Sequence, residues 1–76
     1  MKYNYRDYDI PLCDGMKNVE KVYEKYIKDQ DNEKLYDELK EAVYLMSLDI
    51  KSARVCGQLA PAILDEMKEY YWGLLL

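Results

Sequence analysis

Residues 33–57, EKLYDELKEAVYLMSLDIKSARVCG, decide how this chain folds. Apolar residues recur along the stretch at Tyr36, Leu39, Val43, Met46, Ile50 and Ala53. Their steps alternate three and four, which places all six on one face of an α-helix. A strand would scatter them over both faces. From Ala42 onward a second apolar side emerges, made by Leu45, Leu48, Val55 and Cys56. A helix that is apolar over most of its circumference is normally buried by more than one neighbour. The stretch therefore reads as a long central helix. Its second half needs cover from the N-terminal arm, from a third helix or from another subunit.

Moving toward the N-terminus, Met16, Val19, Val22, Tyr23, Tyr26 and Ile27 hold the same spacing and predict a helix over 16–28. Asp14-Gly15 reads as a turn, with Asp14 as the N-cap of that helix. The link Asp29 to Asn32 is short and polar, so the central helix should run back antiparallel. Asp31 and Asn32 both suit its cap. Residues 1–12, MKYNYRDYDIPL, have no helical period, and Pro11 pushes Ile10 toward an extended conformation. They read as an extended arm anchored by Tyr8, Ile10 and Leu12. A hairpin is disfavoured, because no second strand-like run exists to pair with.

Toward the C-terminus, Gly57 is a natural stop, since glycine accepts the left-handed conformation that ends helices. Pro61 suits the first turn of a third helix. Ile63, Leu64, Met67, Tyr70, Tyr71 and Leu74 again keep the three-four spacing, and a break ahead of Pro61 is preferred to a kink. The expected fold is all-α: a small three-helix bundle with a long central helix and an extended N-terminal arm. The arm occupies 1–12 and a single helical domain 13–76, with helices at about 16–28, 33–57 and 61–73.

A chain of 76 residues makes one domain and buries only about 60% of its unfolded surface, so its core needs support. Disulfides, a metal or a partner chain usually supply it. Cys13 and Cys56 have neither the number nor the spacing of a disulfide framework or a zinc site. They read as two buried free thiols in a reducing compartment. No apolar run approaches the ~20 residues of a membrane span, and no signal peptide is visible. A cytoplasmic location is expected, with association supporting the small core.

The 11 basic and 15 acidic residues leave a net charge of −4. The excess gathers at 29–41, where Asp29, Asp31, Glu33, Asp37, Glu38 and Glu41 face only Lys34 and Lys40. An acidic surface repels phosphate, which argues against direct contact with nucleic acid or an anionic membrane. Nine tyrosines stand beside no phenylalanine and no histidine. Interfaces favour tyrosine for its apolar body and polar tip. A bias toward A/T-rich codons explains the same count without any function.

Chemistry is argued against by what is missing. Without histidine the commonest general base is absent. Ser47 and Ser52 fall inside the central helix, where hydroxyls face solvent or bond the backbone. Gly15, Gly57 and Gly73 are isolated, so no phosphate-cradling loop forms. The run Asp29-x-Asp31-x-Glu33 starts like a calcium loop, but Lys34 occupies the glycine position and Lys40 the twelfth. An acidic helix start explains it better. No enzyme, no catalytic or metal-binding residue and no cofactor are expected.

Asp49 projects onto the broad apolar side of the central helix, where a carboxylate needs a partner or a path to water. Arg6, a tyrosine hydroxyl or another subunit would serve as partner, and contact with water is the plainer reading. The stripe Lys40, Tyr44, Ser47, Lys51, Arg54 and Gln58 reads as a solvated face.

Together these features point to a small non-enzymatic protein-interaction or regulatory module. Its expected partner is itself, as a homodimer, with a heterologous protein also open. The expected contact is the apolar end Tyr70, Tyr71, Trp72, Leu74, Leu75 and Leu76. The alternative is an inhibitor that presents the acidic corner, as a phosphate mimic, to a nucleic-acid-binding protein. Small acidic proteins of phages and mobile elements often work this way. A charge of −4 interrupted by lysines is modest for that role.

Overall fold

The structure, a computed structural model, describes residues Lys2 to Leu75. It is an all-α three-helix bundle built on a long central helix, with an N-terminal arm laid against it. The helices are α1 (Leu12–Lys28), α2 (Glu33–Val55) and α3 (Pro61–Gly73), and the arm contains one 3₁₀ turn, Tyr5–Asp7. No strand occurs among the described residues.

Five of the six stripe residues do what their spacing dictates, the sixth, Tyr36, being half-buried, and Ala42 joins them. Leu39, Ala42, Val43, Met46, Ile50 and Ala53 of α2 are all buried. Leu12, Met16 and Val19 of α1 meet them on one side, and Leu64, Met67 and Tyr71 of α3 on the other. Backbone packing joins α1 to α2 and α2 to α3, with no direct approach of α1 to α3. The arm works at that junction. Its 3₁₀ turn lies against α1, while Tyr3 stacks on the rings of Tyr70 and Tyr71 in α3.

Helix ends follow from local chemistry. Asn32 caps α2, its side-chain oxygen accepting from Lys34 N (3.0 Å) and Leu35 N (3.4 Å). At the other end Gly57 takes φ +67°. Gly57 N donates to Arg54 O (3.2 Å) and Gln58 N to Ala53 O (2.9 Å), the paired bonds of a Schellman stop. Ala60 is extended (φ −62°, ψ 139°), and Pro61 then opens α3 in its first turn. The chain breaks there; it does not kink.

Three expectations need correction. First, α1 starts at Leu12, four residues before Met16, so Asp14 is no N-cap and Asp14-Gly15 is no turn. Pro11 already holds helical angles (φ −54°, ψ −28°). Cys13 N to Ile10 O (2.9 Å) and Asp14 N to Pro11 O (3.2 Å) close the first turn. Gly15 stands inside the helix for a tertiary reason: a Cβ there would meet Asp49 Oδ2 at 2.4 Å and Met46 Sδ at 3.1 Å. Glycine costs about 1 kcal/mol of helix propensity, and in return α1 approaches α2 closely.

Second, the arm is not extended throughout. Asn4 Oδ1 accepts from Arg6 N (3.0 Å) and winds the following residues into a 3₁₀ turn. Leu12, expected to end the arm, is a core residue of α1. Third, only Cys13 is partly sheltered, its thiol donating to Tyr8 O at 3.0 Å. Cys56 is exposed just beyond the last turn of α2, and both thiols are free.

Candidate functional site

The apolar C-terminal end is largely used within the chain. Tyr71 is only 2% exposed and belongs to the core. Its ring packs edge-on to Tyr70 (centroids 5.3 Å) and tilted to Tyr3 (6.2 Å), with Tyr3 and Tyr70 also edge-on (5.4 Å). Burial pushes the Tyr71 hydroxyl well above the ordinary phenol range, so it stays neutral. Tyr70 is half-buried and accepts from Lys2 N at 3.0 Å. Leu74 and Leu75 lie half-buried against the core, and the Tyr36 hydroxyl donates to Leu75 O (3.4 Å). Leu76 falls outside the described residues. Of the remaining five, only Trp72 presents much of its side chain outward, at 38% exposure.

Why the end folds inward is plain from its register. Leu64, Met67 and Tyr71 stand at i, i+3 and i+7, so one face of α3 reaches α2. Lys2 then clips the arm over this face through an ion pair with Glu66 (2.5 Å). That pair lowers the Glu66 pKa and raises that of Lys2. Both groups are solvent-exposed, so the contact guides the arm more than it stabilises the domain.

The six acidic residues of the corner, Asp29, Asp31, Glu33, Asp37, Glu38 and Glu41, are all exposed. They line the α1–α2 link and the first turns of α2. Asp29 accepts from Asn32 Nδ2 (3.2 Å), which ties the link to the helix cap. Among the described residues no group of three or more His, Cys, Asp or Glu side chains comes together to hold a metal ion. No helix among them is long and apolar enough to cross a membrane.

The uncovered surface lies on α2. Tyr44 (53% exposed), Leu45 (45%), Leu48 (46%) and Val55 (81%) point away from the core. Among the described residues none covers these four fully: Leu45 borders Val22 of α1, and Tyr44 and Leu48 flank Trp72 of α3. Tyr44, Leu48 and Val55, spaced four and seven apart, share the outer face of α2, while Leu45 turns toward α1. Apolar side chains gathered on one face call for an explanation that scattered ones do not. Beside them a groove of about 450 Å³ opens between α2 and α3, lined by Tyr44, Leu48, Lys51, Lys68 and Trp72 among others. Arg54, at its edge, is ion-paired with Asp65 across the two helices. The stripe Lys40–Gln58 that the sequence presents as merely polar thus contributes Tyr44, Ser47, Lys51 and Arg54 to a concave, mildly basic wall.

Asp49 is neither solvated freely nor paired. It is half-buried, its carboxylate set against Gly15, with no hydrogen bond or ion pair among the described residues. Arg6, one of its candidate partners, instead stacks over the Tyr5 ring (4.4 Å) and bonds Asn4. Burial raises the Asp49 pKa, and the nearby Asp14 charge adds to the shift. A folded-state pKa above the unfolded one means that ionising Asp49 costs stability at neutral pH. Asp49→Asn should therefore be more stable than the parent at pH 7, by at most about 1 kcal/mol for a partly solvated group. The gain should shrink as pH falls through the folded pKa and vanish only well below the unfolded pKa of about 3.9, where the parent is protonated in both states. Thermal melts of both proteins at several pH values measure it; an equal difference at every pH would exclude the electrostatic origin.

Comparisons with protein-family models, with curated proteins and with solved structures found no significant match to this chain.

Proposed function

We propose that this chain is a small non-enzymatic interaction module that associates with a second copy of itself through the outer face of α2. The observation that carries the reading is the exposed apolar row Tyr44, Leu48 and Val55 on the outer face of the central helix. Support also comes from the size of the domain, whose core is small for an independent fold, and from the absence of histidine and of any nucleophile–base pairing in the sequence. In this reading the contact lies on α2, with Trp72 at its flank, while Tyr71 is in the core and Tyr70, Leu74 and Leu75 pack against it. Two unpaired cysteines suit the cytoplasm.

Sedimentation equilibrium over a wide concentration range tests this directly. The parent should show a concentration-dependent mass, and Leu48→Asp should shift it toward monomer while keeping the helical circular dichroism. The substituted residue is nearly half exposed, so folding should not suffer. A parent that remains monomeric throughout would overturn the reading.

The six exposed carboxylates at one end of the molecule favour a second reading. In it the acidic corner occupies the phosphate site of a nucleic-acid-binding protein. Such a contact weakens steeply as salt screens it. Equal binding of such a protein at low and high salt would exclude it.

A further inference from the structure

We infer that the second copy lies antiparallel along α2, on a seam of Asp37, Glu41, Tyr44, Leu48, Lys51 and Val55, with each Glu41 against the partner's Lys51. This rests on the self-association just proposed and names its geometry. All six residues are exposed, and their steps run four, three, four, three, four. That is the spacing of a coiled-coil seam, one continuous line down a helix. The line lies opposite the buried stripe of α2.

Its chemistry reads acid, acid, aromatic, aliphatic, base, aliphatic. The positions are also symmetric about residue 46: Tyr44 and Leu48 are equally far from it, as are Glu41 and Lys51, and Asp37 and Val55. A twofold axis there makes an isologous contact in which the same patch serves both chains. Tyr44 then packs on the partner's Leu48, and Glu41 meets the partner's Lys51. Asp37 and Val55 form the solvated ends and contribute least. A parallel arrangement would instead face Glu41 with the partner's Glu41, and Lys51 with the partner's Lys51. Like charges in register disfavour that alternative. Charge thus selects the direction while Tyr44 and Leu48 supply the apolar centre.

Size sets the expected strength. The seam spans 18 residue steps, roughly 27 Å by about 10 Å, well under the ~800 Å² per partner of a standard stable interface. The contact belongs to the small, transient class of interfaces. Tyr44 and Leu48 also line the groove with Trp72, so docking partly covers the single tryptophan and provides an optical probe.

Reversing the charges tests the pairing. Glu41→Lys alone, and Lys51→Glu alone, should each weaken self-association about tenfold, because two symmetric pairs change from attraction to repulsion. The double variant should regain the parent's affinity. An equimolar mixture of the two single variants should associate at least as tightly as the parent, since both cross-pairs then attract. Sedimentation equilibrium and Trp72 fluorescence read the outcome. Rescue on mixing separates a lost contact from a lost fold. If the single variants dimerise like the parent and mixing changes nothing, the seam is wrong while self-association stands. If the parent never dimerises, both fall.

Discussion

Replacing Tyr71 by alanine is expected to cost about 3–5 kcal/mol and to leave the domain largely unfolded. The residue is among the largest fully enclosed side chains, 2% exposed at the meeting point of α2, α3 and the arm. Its loss opens a cavity against Leu64 and Met67 and removes the ring contacts with Tyr3 and Tyr70. A 76-residue domain has a total stability of only roughly 4–11 kcal/mol, so one such cavity consumes a large share of it. Chemical denaturation followed by far-UV circular dichroism, at a concentration where the chain is monomeric, measures the change. The outcome also separates two roles for the C-terminal end. Were Tyr71 a partner-binding residue, alanine would lower association and leave the monomer's midpoint unchanged. A retained midpoint would return Tyr71 to the surface.

What could be read from the sequence is what local rules govern. The core stripe of α2 was legible because a helix repeats every 3.6 residues, and Leu39, Val43, Met46, Ile50 and Ala53 obey that period and are buried. The stop at Gly57 and the start at Pro61 were legible because each answers to its own backbone angles. Asp14-Gly15 misled for the complementary reason. As a dipeptide it signals a turn, yet Gly15 is glycine because another helix passes within reach of a Cβ. Nothing local announces that. Tyr3 was invisible for the same cause, since its contacts are with Tyr70 and Tyr71 at the far end of the chain.

The site shows the same division. Leu45, Leu48 and Val55 were legible as a second apolar side that required cover. Which element would supply the cover depends on where α3 and the arm dock, and periodicity does not contain that information. Both dock on the buried face, and the second side remains open to solvent. For the apolar end YYWGLLL composition allowed both folding back on α2 and meeting another subunit, because it reveals amount but not direction. The register of Leu64, Met67 and Tyr71 was the available signal, and it points inward. Hydrophobic content alone therefore does not tell which apolar side chains the chain uses for its own core.

Opposite effects are expected from two substitutions at Tyr3. Tyr3→Ala should destabilise the domain by about 2–3 kcal/mol, the sum of lost apolar burial and two aromatic contacts. It should also release the arm, because Tyr3 is the ring that carries the N-terminal segment across to α3. Tyr3→Phe keeps the ring and removes the hydroxyl. That hydroxyl is buried without a hydrogen-bond partner among the described residues, and desolvation raises its pKa, with the neighbouring Glu66 adding to the rise. A buried, unbonded polar group costs about 1–3 kcal/mol. Glu66 is close enough to recover part of that, and it is itself engaged by Lys2. The phenylalanine variant should therefore match or exceed the parent, by up to about 1 kcal/mol. Urea denaturation of the parent and both variants gives the two signs, and proteolysis of the arm reports its release. A destabilised Tyr3→Phe would mean that the hydroxyl is bonded to Glu66 in solution. An unaffected Tyr3→Ala would mean that the arm lies free of α3, and the junction between α1 and α3 would then need another filler.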